Sequence, residues 1–299
     1  MVGTPLVGII VLNFNGRDCL LDCLRSLDSL AYQEKFVVVV DNGSEDGSMA
    51  MAQARFPKHT YIFNTENKGF ASGMNVGLVE ARAQGATWFW VFNNDAVAKS
   101  DALTVLMGEA VRHEDVGLLS PAIVDAVTGK FWFGKGRIDS LRMRVTHEMP
   151  SQREWQQNSY QSEFLTGCAL LIRGDILSRV GFFDERFFLY YEDADLSVRA
   201  RAALFRCLVV PRAVVRHSEQ SQENPRKLYF LVLSGLLFFA KHGNGWQRPY
   251  FSVYATIRRI KNRIDGVFGR KNAAIVRQAY HTFFHGKKSS HFSHFRQLP

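Results

Sequence analysis

A chain of 299 residues that is 46% hydrophobic and 22% charged is long enough for one large α/β domain with an appendage, and its composition excludes wholesale disorder. The net charge of +9 is unevenly spread: residues 1–225 hold 23 basic against 27 acidic residues, whereas 226–299 hold 14 basic residues and the single acid Asp265. The basicity therefore belongs to the last quarter, whose many aromatics suit an anionic membrane interface or a packed helical subdomain better than nucleic acid.

In chain order, "VGIIVL" (7–12) is an uninterrupted apolar run, the pattern of a strand buried on both faces. "NFNGRD" follows, and then a helix in which Leu20, Cys23, Leu24 and Leu27 recur at helical spacing. "FVVVV" (36–40) predicts a second buried strand, stopped by the turn-rich "DNGSEDGS" before a helix running to about residue 56. "TYIFN" (60–64) predicts a third strand, "ENKGFASGMNVGLVEARAQG" a glycine-bearing loop and helix, "WFWVF" (88–92) a fourth strand, and 100–113 another helix. Strands alternating with helices in this way predict βαβ units and a mainly parallel sheet, with polar clusters just past the strands' carboxyl ends, the edge where such sheets bind ligands.

From residue 116 the pattern changes. "FWFGKG" predicts a hairpin, 149–163 a polar loop, "FLTGCALLIR" a strand and "EDADLSVRARAAL" a helix. "LYFLVLSGLLFFA" (228–240) has 13 residues against the ~20 a bilayer span needs, so it predicts a buried or interfacial helix. A domain boundary is expected near 222–225, dividing a body, 1–225, from a basic, aromatic-rich helical extension, 226–299. No cleavable leader is expected: residues 1–5 are uncharged and the apolar run after them is short. Cys19, Cys23, Cys168 and Cys207 form no CxxC pair and no zinc spacing, which fits free thiols in a reducing compartment.

Each polar cluster admits two readings. Asp41, at the end of the second strand, either opens a turn into a helix or accepts a hydrogen bond from a pyrimidine imide or a ribose. Gly69, Gly73 and Gly77 make a smooth stripe for helix–sheet packing, while Asn67, Lys68 and Gly69 put backbone N–H groups where a diphosphate would sit. Asn75 is the oddity within that helix. Asp95 in "FNNDA" either turns a corner or holds a hard cation, which takes oxygen ligands and leaves room for phosphate and water. Glu192, Asp193 and Asp195 crowd a first helical turn, where the dipole favours acids. They also follow "FFLYY", an aromatic wall of the kind that shelters a general base. His217 reads as structural unless the fold brings it to Asp95.

The ordered set "IIVLNFNG", "VDNGSEDGS", "NKGFASGMNVGL", "FNNDA", "FLTGCALLIR", "FFLYYEDADLSVRA" and "VRH" resembles family 2 glycosyltransferases of the GT-A fold, and among them bacterial rhamnosyltransferase-like members, over about 5–242. The resemblance implies an α/β fold, a mixed, mostly parallel sheet flanked by helices, with a C-terminal helical extension. It implies an inverting transfer, with L-rhamnose from dTDP-rhamnose as the leading donor and a UDP-sugar as the alternative within the same frame. The acceptor it implies is a glycan or a polyprenyl-diphosphate-linked sugar in cell-surface polysaccharide synthesis.

Carried over by position, Asp41, Asn67 and Gly69 line the nucleotide and diphosphate pocket, with Asn13, Asn15 and Asn94 on the donor side. Asp95 is the surviving acid of a D-x-D motif, written here Asn93-Asn94-Asp95, and with His217 it would hold Mg²⁺ or Mn²⁺. Thr166 and Gly167 lie under the donor sugar or acceptor, Asp193 is the general base, and Glu192 and Asp195 support it. The resemblance also implies a cytoplasmic protein, peripheral on the inner face of the membrane. A nucleotidyltransferase would show a Gly-rich, Lys- or Arg-bearing loop after the first strand, which "NFNGRD" is not, and an inactive sugar- or lipid-binding scaffold would have no use for Asp95, Asp193 and His217 together.

Overall fold

The structure, a computed structural model, describes residues 3–218 and 225–286, which group into two compact units. The first comprises 3–138, 145–186 and 192–218, and the second 139–144, 187–191 and 225–286. The boundary expected at 222–225 lies, but for Pro225, outside the described residues.

The first unit opens as the apolar runs predict, with β1 (Val7–Asn13), α1 (Leu20–Asp28), β2 (Lys35–Asp41), α2 (Ser48–Arg55), β3 (Thr60–Phe63), α3 (Gly69–Ala83) and β4 (Trp88–Asn93). These four strands pair in parallel in the order β4-β1-β2-β3. The glycine stripe of α3 explains its close seat on this sheet. A Cβ at Gly73 would come within 2.5 Å of Leu12 Cδ1, and one at Gly77 within 2.3 Å of Ile10 Cγ2. Ile9, Ile10, Trp90 and Phe92 are fully buried, and each such side chain contributes roughly 1.5–3 kcal/mol over its exposed state.

The chain continues through β5 (Ala96–Ala98), α4 (Ala102–Ala110), β6 (Val116–Asp125), β7 (Phe131–Phe133), β8 (Lys135–Asp139), β9 (Arg144–Glu148), α5 (Gln152–Trp155), β10 (Tyr160–Gln161), β11 (Ala169–Arg173), α6 (Gly174–Val180), α7 (Glu192–Ala202) and β12 (Arg206–His217). The full sheet runs β10-β12-β6-β11-β4-β1-β2-β3, with β5 on β12 and β7 on β6. β11 is antiparallel to both β4 and β6, so the sheet is mixed, mostly parallel, as expected.

Two expectations change in detail. "FWFGKG" does not fold back on itself: Phe131–Phe133 pairs with β6, and the residues after Gly134 pair with β9. "FLTGCALLIR" is a strand only from Ala169, its first five residues being a loop that carries Thr166 and Gly167. In β12 the register shifts between Val210 and Val214, which is how a strand of 12 residues accommodates Pro211.

The second unit holds α8 (Pro225–His242), α9 (Gln247–Val267) and α10 (Ala273–His285). Tyr229, Phe230 and Leu233 of α8 form a core with Ala279 of α10, onto which Phe188, Leu189 and Tyr190 pack. The Phe188 and Phe230 rings stack at 4.5 Å, and Tyr229 Oη donates to Thr282 Oγ1 at 2.8 Å. The aromatic stretch expected to wall off the acidic helix is thus largely used in this helical core. Among the described residues no helix is long and apolar enough to cross a membrane.

Candidate active site

Parallel pairing in register sets Asn13 opposite Asp41 and Leu12 opposite Asn93, so the polar ends of β1, β2 and β4 meet at one sheet edge. Asn13, fully buried, ties them together. Its amide donates to Ser44 Oγ at 3.1 Å and Ser48 Oγ at 2.9 Å, and its carbonyl accepts from the Asn94 amide at 2.9 Å. Asp41 accepts the Ser44 N–H at 3.1 Å and the Ser44 hydroxyl at 2.5 Å, the turn its sequence predicts. Asn15, in the left-handed region at φ 51°, accepts the Glu45 N–H at 2.9 Å and so joins the loops after β1 and β2.

A second hub is Asn42, which the sequence reading passed over. Its carbonyl accepts from the Asn64 amide at 3.1 Å and the Lys68 N–H at 3.2 Å, and its amide donates to Asn67 Oδ1 at 3.0 Å and Gly69 O at 3.1 Å. Asn67 in turn accepts the Gly69 N–H at 2.9 Å. The loop before α3 is therefore fixed by amide side chains, each of which can both donate and accept. The sequence signal was Asn42's place between Asp41 and Gly43, in the turn that ends a buried strand.

Past β4, Asn94 and Asp95 turn the chain into β5, which pairs antiparallel with β12 and sets Ala96 opposite His217. The Ser218 N–H closes this pairing on Asp95 O at 3.0 Å. His217 Nε2 and Asp95 Oδ1 come to 3.1 Å, yet neither atom has a hydrogen-bond partner among the described residues, and nor has His217 Nδ1. His217 is buried, with its ring edge-on to Trp132 at 4.5 Å.

The two buried atoms stand within ion-pair range without hydrogen-bond geometry, an arrangement that a shared third partner would satisfy. A divalent cation fits. Adjacent ligands of an octahedral Mg²⁺ or Mn²⁺ at ~2.1 Å stand about 3.0 Å apart. No cluster of three or more His, Cys, Asp or Glu suited to a metal occurs among the described residues, so the other positions would fall to phosphate oxygens and water.

The acidic helix α7 starts directly after Tyr190 and Tyr191, both at positive φ (69° and 68°), a conformation costly for two aromatic residues in succession. Asp193 Oδ2 accepts the Gly167 N–H at 2.9 Å, and Oδ1 accepts the Ala194 N–H at 2.7 Å. Burial pushes the Asp193 carboxyl above its ordinary range, and these two N–H groups offset only part of that. Glu192 is buried, with no partner for Oε2 among the described residues, and burial, reinforced by the Asp193 charge, raises it well above the usual range.

Asp195 lies fully buried against Arg199, whose Nε donates to it at 2.7 Å while the same guanidinium donates to Val180 O and Phe182 O. Asp195 thus braces the helix from within. Thr166, buried, accepts the Cys168 N–H at 3.3 Å and shapes the loop around Gly167. A Cβ on Gly167 would stand 3.3 Å from the Phe70 ring and 3.6 Å from Asp193 Cβ. Phe70, unflagged in the sequence, thus packs beside Gly167, whose N–H holds Asp193.

Asn75, the oddity of α3, donates to Phe183 O at 2.9 Å and Glu185 Oε1 at 3.0 Å and accepts the Phe183 N–H at 3.0 Å, clamping the loop that leads toward α7. The antiparallel pairing of β4 with β11, extended by Asn93 N–H to Cys168 O at 2.9 Å, puts the Asp95 turn and the Gly167 loop side by side.

Comparison with known proteins adds the following. The model of glycosyl transferase family 2 matches residues 8–181. An N-acetylglucosaminyl-diphospho-decaprenol L-rhamnosyltransferase of Mycobacterium tuberculosis is 27% identical over 270 residues, covering 82% of this chain and 87% of the relative. The mannosyltransferase PcManGT from Pyrobaculum calidifontis, in complex with GDP-Man and Mn²⁺, superposes with a TM-score of 0.62 at 15% identity, over 96% of this chain and 89% of that one. GalNAc-T7 with UDP, GalNAc and Mn²⁺ superposes with a TM-score of 0.61 at 13% identity, over 79% of this chain and 51% of that one. The sheet order and these neighbours make the fold GT-A, as the sequence motifs implied.

Proposed function

The chain belongs to glycosyl transferase family 2, and from that premise we propose that it moves L-rhamnose from dTDP-rhamnose, with inversion, onto a hydroxyl of a glycan carried by a polyprenyl diphosphate. The observation that carries this reading is the β4–β11 pairing, which brings the Asp95–His217 pair and the Gly167-held Asp193 to one sheet edge from different segments. The donor and acceptor follow the relative that rhamnosylates a diphospho-decaprenol-linked N-acetylglucosamine, with which most of this chain aligns.

Asp193 is the base. Each of its oxygens keeps a lone pair beside the one given to a backbone N–H, and its raised proton affinity brings it nearer the pKa an efficient base needs. It takes the proton of the acceptor hydroxyl as that oxygen bonds to the anomeric carbon. The bond from that carbon to the diphosphate breaks, and its electron pair leaves with the nucleoside diphosphate. Glu192, whose carboxyl is raised by burial and by the adjacent Asp193 charge, supports Asp193 from the same helical turn.

Asp41 faces the base or ribose, and Asn67 and Gly69 line the diphosphate. Asn13, Asn15 and Asn94 hold the loops that shape this pocket, and Thr166 and Gly167 floor the sugar subsite. Asp95 and His217 would hold Mn²⁺ or Mg²⁺, which would supply positive charge to the leaving diphosphate. The site works at the inner face of the cytoplasmic membrane, where a nucleotide sugar meets a lipid-linked acceptor.

The test is transfer by the full chain from dTDP-rhamnose to a polyprenyl-diphosphate-linked N-acetylglucosamine with Mn²⁺, with linkage configuration read by NMR. An inverted linkage supports the reading. Retention of configuration overturns the mechanism, and transfer from a UDP- or GDP-sugar alone overturns the donor. Failure of transfer and of donor hydrolysis with every nucleotide sugar overturns the enzyme itself.

A further inference from the structure

Helix α9 is apolar on two opposite faces. On one, Phe251, Ala255 and Asn262 are buried against its neighbours, with the Phe251 ring 5.9 Å from Phe283 and the Arg259 guanidinium 5.1 Å over Phe284. On the other, Trp246 (the residue just before the helix), Val253, Ile257, Ile260, Ile264 and Val267 are each between 51% and 85% exposed. Beyond Trp246 the spacing alternates four and three, so at about 100° per residue all six fall within an arc of about 80°. One apolar face is enough to join a helix to its core. The second face has no use within the helical unit, and a continuous exposed apolar stripe of this kind marks an interaction surface.

The charges around the stripe say what covers it. Within 247–267 Arg248, Arg258 and Arg259 lie toward the packed side, Lys261 and Arg263 lie beside the stripe, and the single acid, Asp265, is already bound to Lys261 at 2.7 Å and Arg270 at 3.3 Å. Lys261 and Arg263 border the stripe on its two sides. The four–three spacing is also that of a coiled-coil seam, but pairing with a second copy would set these cations against their own kind, with no acids at the flanks to compensate. The terminal residues 287–299 are no better suited, since they add Lys287, Lys288 and Arg296 and no acid. An anionic bilayer surface satisfies both halves of the pattern: branched apolar side chains and Trp246 enter the acyl boundary, and Lys and Arg meet lipid phosphates.

We propose that the Trp246–Val267 stripe of α9 is a membrane-docking face that lies in the plane of an anionic bilayer. It serves the lipid-linked acceptor of the proposed function, yet it rests on the stripe and its charges, and vesicle binding requires no sugar transfer, so the two readings can fail separately.

The test is sedimentation of the full chain with vesicles of phosphatidylcholine alone or mixed with phosphatidylglycerol. The wild type should pellet with the mixed vesicles and weakly with the neutral ones. The double variant Ile257→Asp, Ile264→Asp should partition at least about tenfold less, since it sets two anions in the apolar stripe. Val127→Asp, on an exposed loop of the other unit, should partition as the wild type does. Both variants should keep the wild-type melting temperature and donor-induced thermal shift, because every substituted side chain is exposed. Equal partitioning of the double variant and the wild type would overturn the proposal. So would a wild type that ignores vesicles, or a dimer by analytical ultracentrifugation that the double variant abolishes.

Discussion

Asp193 Oδ2 accepts the backbone N–H of Gly167 at 2.9 Å, which fixes the first turn of α7 to the loop entering β11. An asparagine can keep this bond through its carbonyl oxygen but cannot take a proton. Asp193→Asn is therefore expected to lower kcat at least ~100-fold while leaving donor-induced thermal stabilisation intact. Turnover within a factor of a few of wild type would remove Asp193 from the role of base.

Glu192 gives a prediction of opposite character, in stability rather than rate. Its folded-state proton affinity is raised by burial and by the neighbouring Asp193, so the folded state binds this proton more tightly than the unfolded chain does. The stabilisation it contributes is complete below the ordinary Glu pKa of ~4.3 and is lost as pH rises toward the folded value, at up to ~1.4 kcal/mol per pH unit. Glu192→Gln, neutral throughout, should melt like the wild type in acid and progressively higher than it as pH rises. Parallel melting curves for the two proteins across that range would show that the fold does not raise the proton affinity of Glu192.

Asp95 and His217 should act as one unit. Mn²⁺ with a nucleoside diphosphate is expected to raise the melting temperature of the wild type beyond the nucleotide alone. Asp95→Ala and His217→Ala should each abolish the metal-dependent part and leave the rest. If the increment survives in either variant, or the wild type responds equally with a chelator present, the pair does not hold the cation.

The sheet that carries these residues was legible because buried parallel strands write themselves as unbroken apolar runs, such as "VVVV" at 37–40, and because the polar residues that stop them are turn formers. Asp95 could be flagged from that context alone. The meeting of His217 with it was reachable only through the family resemblance, since it depends on three residues of β5 pairing antiparallel with a strand over 110 residues away, past a register shift at Pro211. Asn42 and Phe70 were missed for a related reason. Each acts through partners distant in sequence, Asn64 and Asn67 for one and Gly167 for the other; the only local signal is Asn42's place in the turn after β2, which does not name its partners. Asn75 was visible as an anomaly, and its explanation lies 108 residues away at Phe183.

Asp195 separates architecture from chemistry within one acidic cluster. It is fully buried and bonded to Arg199, which is itself mostly buried and spends its remaining N–H groups on Val180 O and Phe182 O. Removing one partner of such a pair leaves the other charge uncompensated, a loss of about 3–5 kcal/mol. Asp195→Ala should therefore fail as a fold, with a lowered melting temperature and reduced soluble yield, whereas Asp193→Asn should fail as a catalyst in a protein of near-normal stability. The double variant Asp195→Leu, Arg199→Met removes both charges and should recover part of the lost stability. Were Asp195→Ala to melt like the wild type and lose only turnover, the carboxylate would have a direct part in the reaction.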